Sequence, residues 1–178
     1  CWISSPNSRM KARAFWALVN QSNADANKYI QQALRSTDPN LRIIGIRASK
    51  QLGVGVMEAI RFLVKDADPQ VRRECAVTLR HNNSPEAAVL WATLAAQHDG
   101  KDRWYLEALG IGAAGQWDRF FETYLTLVKN PLLTAGARDI VWRASYAPGE
   151  YDRPHTGLPG SLQEHIEHPA CFIKRNKK

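Results

Sequence analysis

The sequence has no apolar run that approaches the roughly eighteen residues of a transmembrane helix, so it predicts no membrane-inserted segment. It also lacks an initiating methionine and the charged-then-apolar start of a signal peptide. We therefore expect the chain to begin after a removed signal or inside a longer protein. The helical pattern that starts near Ser8 favours the second origin. A processed lipoprotein end at Cys1 is a further alternative.

Cysteine is scarce, and its arrangement excludes one kind of cofactor. The chain has three cysteines and no Cys-x-x-Cys-His motif, so no c-type haem can be attached to it covalently. Cys75 lies on an apolar helix face and is predicted to be a small buried hydrophobe. Cys1 and Cys171 lie near the two ends, where no spacing pattern supports a disulfide. Cysteine content therefore does not assign a cellular compartment.

Blocks of like charge are absent as well. The formal net charge is +7, and residues 1–145 supply most of it, but lysine and arginine are spread singly along the chain. This excess of positive charge admits a nucleic acid or another anionic partner without requiring one. With 178 residues and 44% apolar composition, the chain is long enough for one domain with a hydrophobic core.

The sequence does contain a repeated helix start. Asp68-Pro69-Gln70-Val71-Arg72 is preceded thirty residues earlier by Asp38-Pro39-Asn40-Leu41-Arg42 and followed thirty-one residues later by the looser Asp99-Gly100-Lys101-Asp102-Arg103. Aspartate can cap the first free N–H groups of a helix, and proline fits its first position. A period near thirty residues with a helix at every copy predicts an all-α fold, an α-solenoid of stacked hairpins.

The rest of the chain divides into two regions. Residues 1–145 show four amphipathic helical hairpins and one further helix, which we predict to form a repeat domain. After Ser145, proline and glycine recur often enough to prevent long regular elements. Residues 146–178 are therefore predicted to be an irregular, partly disordered C-terminal tail with at most a short helix at 161–167.

The Asp-Pro-x-Leu/Val-Arg opening resembles that of HEAT-like repeats of the PBS-lyase type. In that family the arginine just inside the first helix reaches an aspartate of the adjacent repeat and builds a buried ladder. The resemblance implies that Arg72 pairs with Asp38 or Asp68, and that Arg103 pairs with Asp68 or Asp99. The implied ladder comprises Asp38, Arg42, Asp68, Arg72, Asp99 and Arg103.

A narrower resemblance concerns the segments 71–81, 102–112 and 140–143. They are similar to the HEAT-repeat section of large bacterial membrane-bound dehydrogenases, in which a β-propeller precedes the repeats and a c-type cytochrome domain follows them. The similarity covers roughly residues 9–145 and implies an exported, periplasmic redox protein of which this chain is the spacer or docking segment. Without that relationship we expect a cytoplasmic protein. Because propeller-like strands and the haem motif are missing, the resemblance transfers no catalytic residue.

The residues offer little for chemistry. His165, His168 and Cys171 form a cluster of ligand-type residues, but the spacing matches neither the zinc-protease nor the deaminase motifs. We expect surface histidines there, with a shared metal ion as the alternative. The Gly-x-Gly fragments at 53–55 and 110–112 end predicted helices, whereas a phosphate-binding loop opens one. We predict no enzyme activity, no cofactor and no metal for this chain.

Six tryptophans raise the question of a binding surface. Trp16, Trp91, Trp117 and Trp142 fall on amphipathic helices and are expected to serve in packing. Trp104-Tyr105 opens a helix, and this is the pair we expect to be partly exposed. The candidate binding face comprises Arg73, Arg80, Arg103, Trp104 and Tyr105.

The sequence thus predicts a monomeric, non-catalytic scaffold that docks a protein partner or neighbouring domains of its own polypeptide. The alternative is a nucleic-acid-binding protein similar to the HEAT-like glycosylases of alkylated bases, which use tryptophan and aspartate in a basic groove. Steep weakening of DNA binding with rising salt would favour that alternative. A third candidate is a regulatory or lyase-associated repeat protein of tetrapyrrole-bearing antenna assemblies, because those proteins have a similar repeat pattern.

Overall fold

A computed structural model describes residues 2–21 and 25–145, and over these residues the protein is all-helical, as predicted. Within those ranges there is no strand, and no helix is long and apolar enough to cross a membrane. A 3₁₀ turn (Trp2–Ser4) precedes nine α-helices: α1 (Ser8–Gln21), α2 (Ala26–Leu34), α3 (Pro39–Leu52), α4 (Val56–Leu63), α5 (Pro69–Thr78), α6 (Pro85–Ala95), α7 (Arg103–Ala113), α8 (Trp117–Leu127) and α9 (Ala135–Ser145).

The repeated aspartates start their helices as expected. The carboxylate of Asp38 accepts a hydrogen bond from the N–H of Asn40 at 2.9 Å, and that of Asp68 accepts one from the N–H of Gln70 at 2.7 Å. In both helices proline occupies the first turn, where its missing N–H has no intrahelical partner to lose. α3 ends at Gly53, which takes a left-handed conformation (φ 67°) that glycine adopts without strain.

The contacts between helices follow two series. α3 packs against α5, α5 against α7, and α7 against α9, while α4 packs against α6 and α6 against α8. Contacts such as α1–α2, α3–α4 and α6–α7 join the two series. One hydrophobic cluster runs from α1 to α9, and its most buried large side chains include Phe15, Ile30, Ile46, Ile60, Trp91, Leu109, Phe120 and Ile140.

The third repeated start differs from the prediction. α7 is capped by Asp102, whose carboxylate accepts a hydrogen bond from the N–H of Tyr105 at 3.1 Å. Asp99 instead accepts the N–H of Lys101 at 2.9 Å in the preceding turn, and this bond lowers the pKa of the Asp99 carboxyl. Counting from the cap, the position of Arg42 and Arg72 is therefore occupied by Leu106. Arg103 is the first residue of α7, which places it outside the predicted ladder.

Residues 146–178 lie outside the described residues. The predicted tail, its short helix at 161–167 and the cluster of His165, His168 and Cys171 fall there. Cys1 is outside the described part as well. Cys75 is inside it, fully buried and free, as predicted, and burial raises the pKa of its thiol.

Candidate docking face

A buried arginine–aspartate pair joins α3 to the turn before α5, but it uses a different aspartate from those predicted. Nη2 of Arg42 donates to Oδ1 of Asp66 at 2.8 Å, and Nε lies 2.8 Å from Oδ2. The side chains of this pair are only 14% and 8% exposed. Asp66 stands two residues before the cap of α5. Oδ1 of Asp66 also accepts a hydrogen bond from the N–H of Asp68 at 2.9 Å, so this carboxylate connects Arg42 to the cap of α5.

Arg72, at the equivalent position of α5, binds main-chain carbonyls. Nη1 of Arg72 donates to the carbonyl oxygens of Asp66 at 2.6 Å and Ala67 at 3.1 Å. Its predicted pairing with Asp38 or Asp68 is not found among the described contacts. The position two residues before the cap of α7 is Gly100, which offers no carboxylate, and the guanidinium lies 5.5 Å from the ring centroid of Tyr105 instead.

The same arrangement returns in the last described helix. Nη1 of Arg138 donates to the carbonyl oxygens of Leu132 at 3.0 Å and Leu133 at 3.3 Å, six and five residues upstream. Arg42 binds the carbonyls of Ser36 and Thr37 at the same separations along the chain. These three arginines therefore link α3, α5 and α9 to the turn that precedes each of them.

The candidate binding face of the sequence is only partly assembled. Trp104 is 72% exposed and the side chain of Arg103 is 86% exposed, on the first turn of α7. Tyr105 is 2% exposed, so the prediction that it would be accessible was wrong. Its hydroxyl donates to the carbonyl of Leu94 at 3.0 Å, and burial raises its pKa. Neighbouring residues of a helix point about 100° apart, which separates the two rings.

Two further residues of that list lie apart from one another: Arg73 is in the middle of α5, and Arg80 is in the turn that follows the helix. Nη1 of Arg73 is 3.6 Å from Oδ2 of Asp102, so Arg73 lies at the start of α7 beside Arg103. Arg80 follows the last turn of α5, about 10 Å along the axis from Arg73 at 1.5 Å per residue. The structure therefore brings Arg73, Arg103 and Trp104 together and leaves Arg80 apart.

Sequence reasoning missed three residues at this surface: Glu107, Ile111 and Arg143. Glu107 of α7 lies 3.6 Å from Arg143 of α9 and 3.9 Å from Arg103 on its own helix. The guanidinium of Arg143 packs over Gly110, where an added Cβ would come within 2.8 Å of its Nε. A glycine inside a helix signals close packing, so Gly110 was the available clue. We call Arg73, Arg103, Trp104, Glu107, Ile111 and Arg143 the α7 face.

Ion pairs tie the α7 face to its neighbours and continue beyond it. Arg47 of α3 donates to Glu74 of α5 at 2.8 Å, and this hydrogen bond raises the pKa of Arg47. Together with the pairs of Asp102 and Glu107, it links α3, α5, α7 and α9 in order. Most of the cations on these four helices thus have a carboxylate beside them. The α7 face combines mixed charge with exposed Trp104 and Ile111, a composition suited to recognition of another surface.

The other tryptophans of the described residues mostly fill the core. Trp91 is fully buried, donates from Nε1 to the carbonyl of Leu109 at 3.0 Å, and meets Trp117 edge-on at 5.6 Å between centroids. Trp16 packs against Phe15, whereas Trp142 is partly exposed. Among residues 2–21 and 25–145 there is no group of three or more His, Cys, Asp or Glu residues placed to hold a metal ion.

Comparison with known proteins adds no relative. No protein-family model, no curated protein and no solved structure matches this chain. The HEAT-like resemblance therefore stays a prediction that rests on the repeated helix starts.

Proposed function

We propose that this chain is an α-solenoid of HEAT-like hairpins that acts as a non-catalytic scaffold, docking a protein partner or neighbouring domains through the α7 face. Two features support the solenoid. Helices in alternate positions pack on one another in sequence, and the capping aspartate and clamping arginine recur with them. In such a stack each repeat presents side chains on a continuous rigid surface.

The observation that carries the docking role is the exposure of Trp104 on a braced helix. Its neighbours Asp102 and Glu107 are paired with Arg73 of α5 and Arg143 of α9, so the first turns of α7 are held from both sides. Tryptophan and arginine dominate the residues that contribute most to binding between proteins. A large indole with only two side-chain torsions loses little conformational entropy when it is buried by a partner.

The dehydrogenase resemblance suggests where such a surface would be used. In a polypeptide with a propeller domain before the repeats and a cytochrome domain after them, the α7 face would fix the relative position of the two. In a free-standing repeat protein, it would receive a separate partner. The same surface could bind a domain of its own polypeptide or a separate protein, and crosslinking distinguishes these two cases.

Site-specific photo-crosslinking tests the proposal. A photoreactive phenylalanine analogue replaces Trp104 in one variant and Phe62, an exposed residue of α4, in another, and adducts formed in the host cell are sequenced by mass spectrometry. We expect an adduct from position 104, within the parent polypeptide or with a separate protein. Trp104→Ala should then weaken binding of the purified partner at least tenfold, as at an interface hot spot.

Phe62→Ala removes an exposed aromatic side chain from another helix and provides the matched control, with an expected change of less than about twofold. Both variants should keep the wild-type melting temperature, since neither ring is part of the core. Equal binding by the wild type and the Trp104→Ala variant would exclude the α7 face as the docking surface.

A further inference from the structure

The first two helices carry a disproportionate share of the positive charge. Residues 1–35 contain five lysines and arginines (Arg9, Lys11, Arg13, Lys28 and Arg35) and one acidic residue, Asp25. Residues 36–145 contain fourteen lysines and arginines against twelve acidic residues. The larger region is thus nearly balanced, while the hairpin formed by α1 and α2 holds a local excess of four positive charges.

The structure leaves these cations uncompensated. None of the ion pairs identified among residues 2–21 and 25–145 involves a lysine or arginine of this hairpin; the cations of those pairs lie between residues 42 and 143. Within the described residues, the side chains of Arg9, Arg13 and Lys28 are exposed and make no hydrogen bond or ion pair. Arg35 lies over the ring of Phe62 at 5.7 Å, which leaves its charge unneutralised. The hairpin therefore presents free cations, in contrast to the paired cations near α7.

The other exposed side chains of the hairpin narrow the choice of anionic partner. They are mainly hydroxyl and amide groups: Ser8, Asn20, Gln21, Asn27 and Gln32. Met10, at 52% exposure, is the single large apolar side chain that is exposed on α1 and α2. This surface lacks the apolar centre of a protein interface and the wide apolar face of a membrane-binding helix.

Nucleic acid fits this surface better than a protein interface or a membrane does. Phosphate oxygens are contacted by arginine and lysine together with serine, asparagine and glutamine side chains. The aromatic residues of this region, Trp2, Trp16 and Tyr29, pack against the core, so the hairpin offers no platform on which single-stranded bases would stack. Arg9 and Arg13 are four residues apart, about 6 Å along the helix axis, and lie on one side of α1.

We propose that the α1–α2 hairpin binds the phosphate backbone of double-stranded nucleic acid without reading base sequence. This binding surface is separate from the α7 face, so it adds a function to the proposed docking role and does not depend on it. A scaffold with both surfaces would hold a protein partner close to nucleic acid.

Fluorescence anisotropy with two labelled 20-base-pair duplexes of unrelated sequence tests the proposal. The full chain should bind both duplexes with the same affinity, and the logarithm of the association constant should fall linearly with the logarithm of salt concentration. Arg9→Gln/Arg13→Gln/Lys28→Gln should weaken binding at least tenfold at 50 mM salt and reduce the salt slope by about three.

Lys65→Gln/Arg80→Gln/Lys129→Gln is the matched control, because it removes three exposed cations from turns elsewhere in the chain, and their side chains make no hydrogen bond or ion pair among the described residues. It should change affinity less than about threefold, since those cations do not contact phosphate. Protection of lysines from acetylation can be measured on the unaltered protein, so this second test does not depend on whether the variants fold. Bound duplex should shield Lys11 and Lys28 from acetylation and leave Lys65 and Lys129 reactive.

Several results would overturn the proposal. The first is failure of the wild type to bind duplex at 50 mM salt. The second is equal weakening by both triple variants, which would reflect net charge alone. The third is equally tight binding of polyglutamate, which would indicate an acidic protein as the partner. Binding to phosphatidylserine-containing vesicles in the absence of duplex binding would indicate a membrane surface.

Discussion

At the scale of single residues, Tyr124 shows how burial couples a titration to stability. It is 1% exposed on α8, where its ring stacks with Phe121, and burial raises its pKa from about 10 to about 12. Between these two values the folded state retains a proton that the unfolded state has lost. The free energy of unfolding therefore falls as pH rises through this window, by up to about 1.4 kcal/mol per pH unit.

Replacing Tyr124 with Phe should remove the part of the alkaline decrease in the free energy of unfolding that comes from the Tyr124 hydroxyl. We expect urea denaturation at pH 8, 10 and 11 to give a smaller decrease for Tyr124→Phe than for the wild type. Both side chains are uncharged at pH 8, so the difference measured there supplies the packing baseline. Parallel pH profiles for the two proteins would show that the Tyr124 hydroxyl does not contribute to the alkaline loss.

At the scale of helices, the Arg42–Asp66 pair is the strongest polar connection between α3 and the turn before α5. Replacing Arg42 with Ala leaves the carboxylate of Asp66 largely buried without its cation and frees the carbonyls of Ser36 and Thr37. Breaking a buried ion pair from one side costs about 3–5 kcal/mol. With 14% residual exposure of Arg42, we expect urea denaturation to show a loss of about 2–4 kcal/mol.

Arg47→Ala is the comparison for this measurement. Arg47 lies on the same helix and also pairs with a carboxylate of α5, but its side chain is 58% exposed. An exposed pair of this kind contributes about 0–1 kcal/mol. Similar losses for the two variants would show that burial of Asp66 does not set the strength of the Arg42 interaction.

The same helices show what could be predicted from the sequence. Caps are local, so Asp38 and Asp68 were identified from a few adjacent residues. The partner of Arg42 was not predicted, because Asp66 is brought to Arg42 by the packing of α5 against α3. Trp104 and Tyr105 were correctly placed at the start of a helix, but the predicted ladder was counted from Asp99, so Arg103 was assigned a position that Leu106 occupies. Tyr105 was expected at the surface because it lies in the first turn of α7, whereas packing against α6 buries its ring and lets its hydroxyl donate to the carbonyl of Leu94.

At the scale of the whole molecule, the order of helix contacts suggests that the two ends are energetically separate. α1 and α2 contact α3 and one another, whereas α9 packs mainly on α7. In a solenoid each repeat is stabilised by its own packing and by its nearest neighbours. A compact bundle would instead unfold as one unit, because every helix would share the same core.

Two core truncations at opposite ends distinguish these cases. Ile30 on α2 and Ile140 on α9 are both essentially inaccessible to solvent, and their replacement by Ala costs about 2–5 kcal/mol of local packing. We expect Ile30→Ala to increase amide hydrogen exchange in residues 8–34 and leave 103–145 near wild type. Ile140→Ala should produce the opposite pattern, because local unfolding is confined to weakly coupled units. If either variant instead showed a uniform increase in amide hydrogen exchange along helices α1 to α9, the solenoid would be contradicted, because a uniform increase requires one cooperative core.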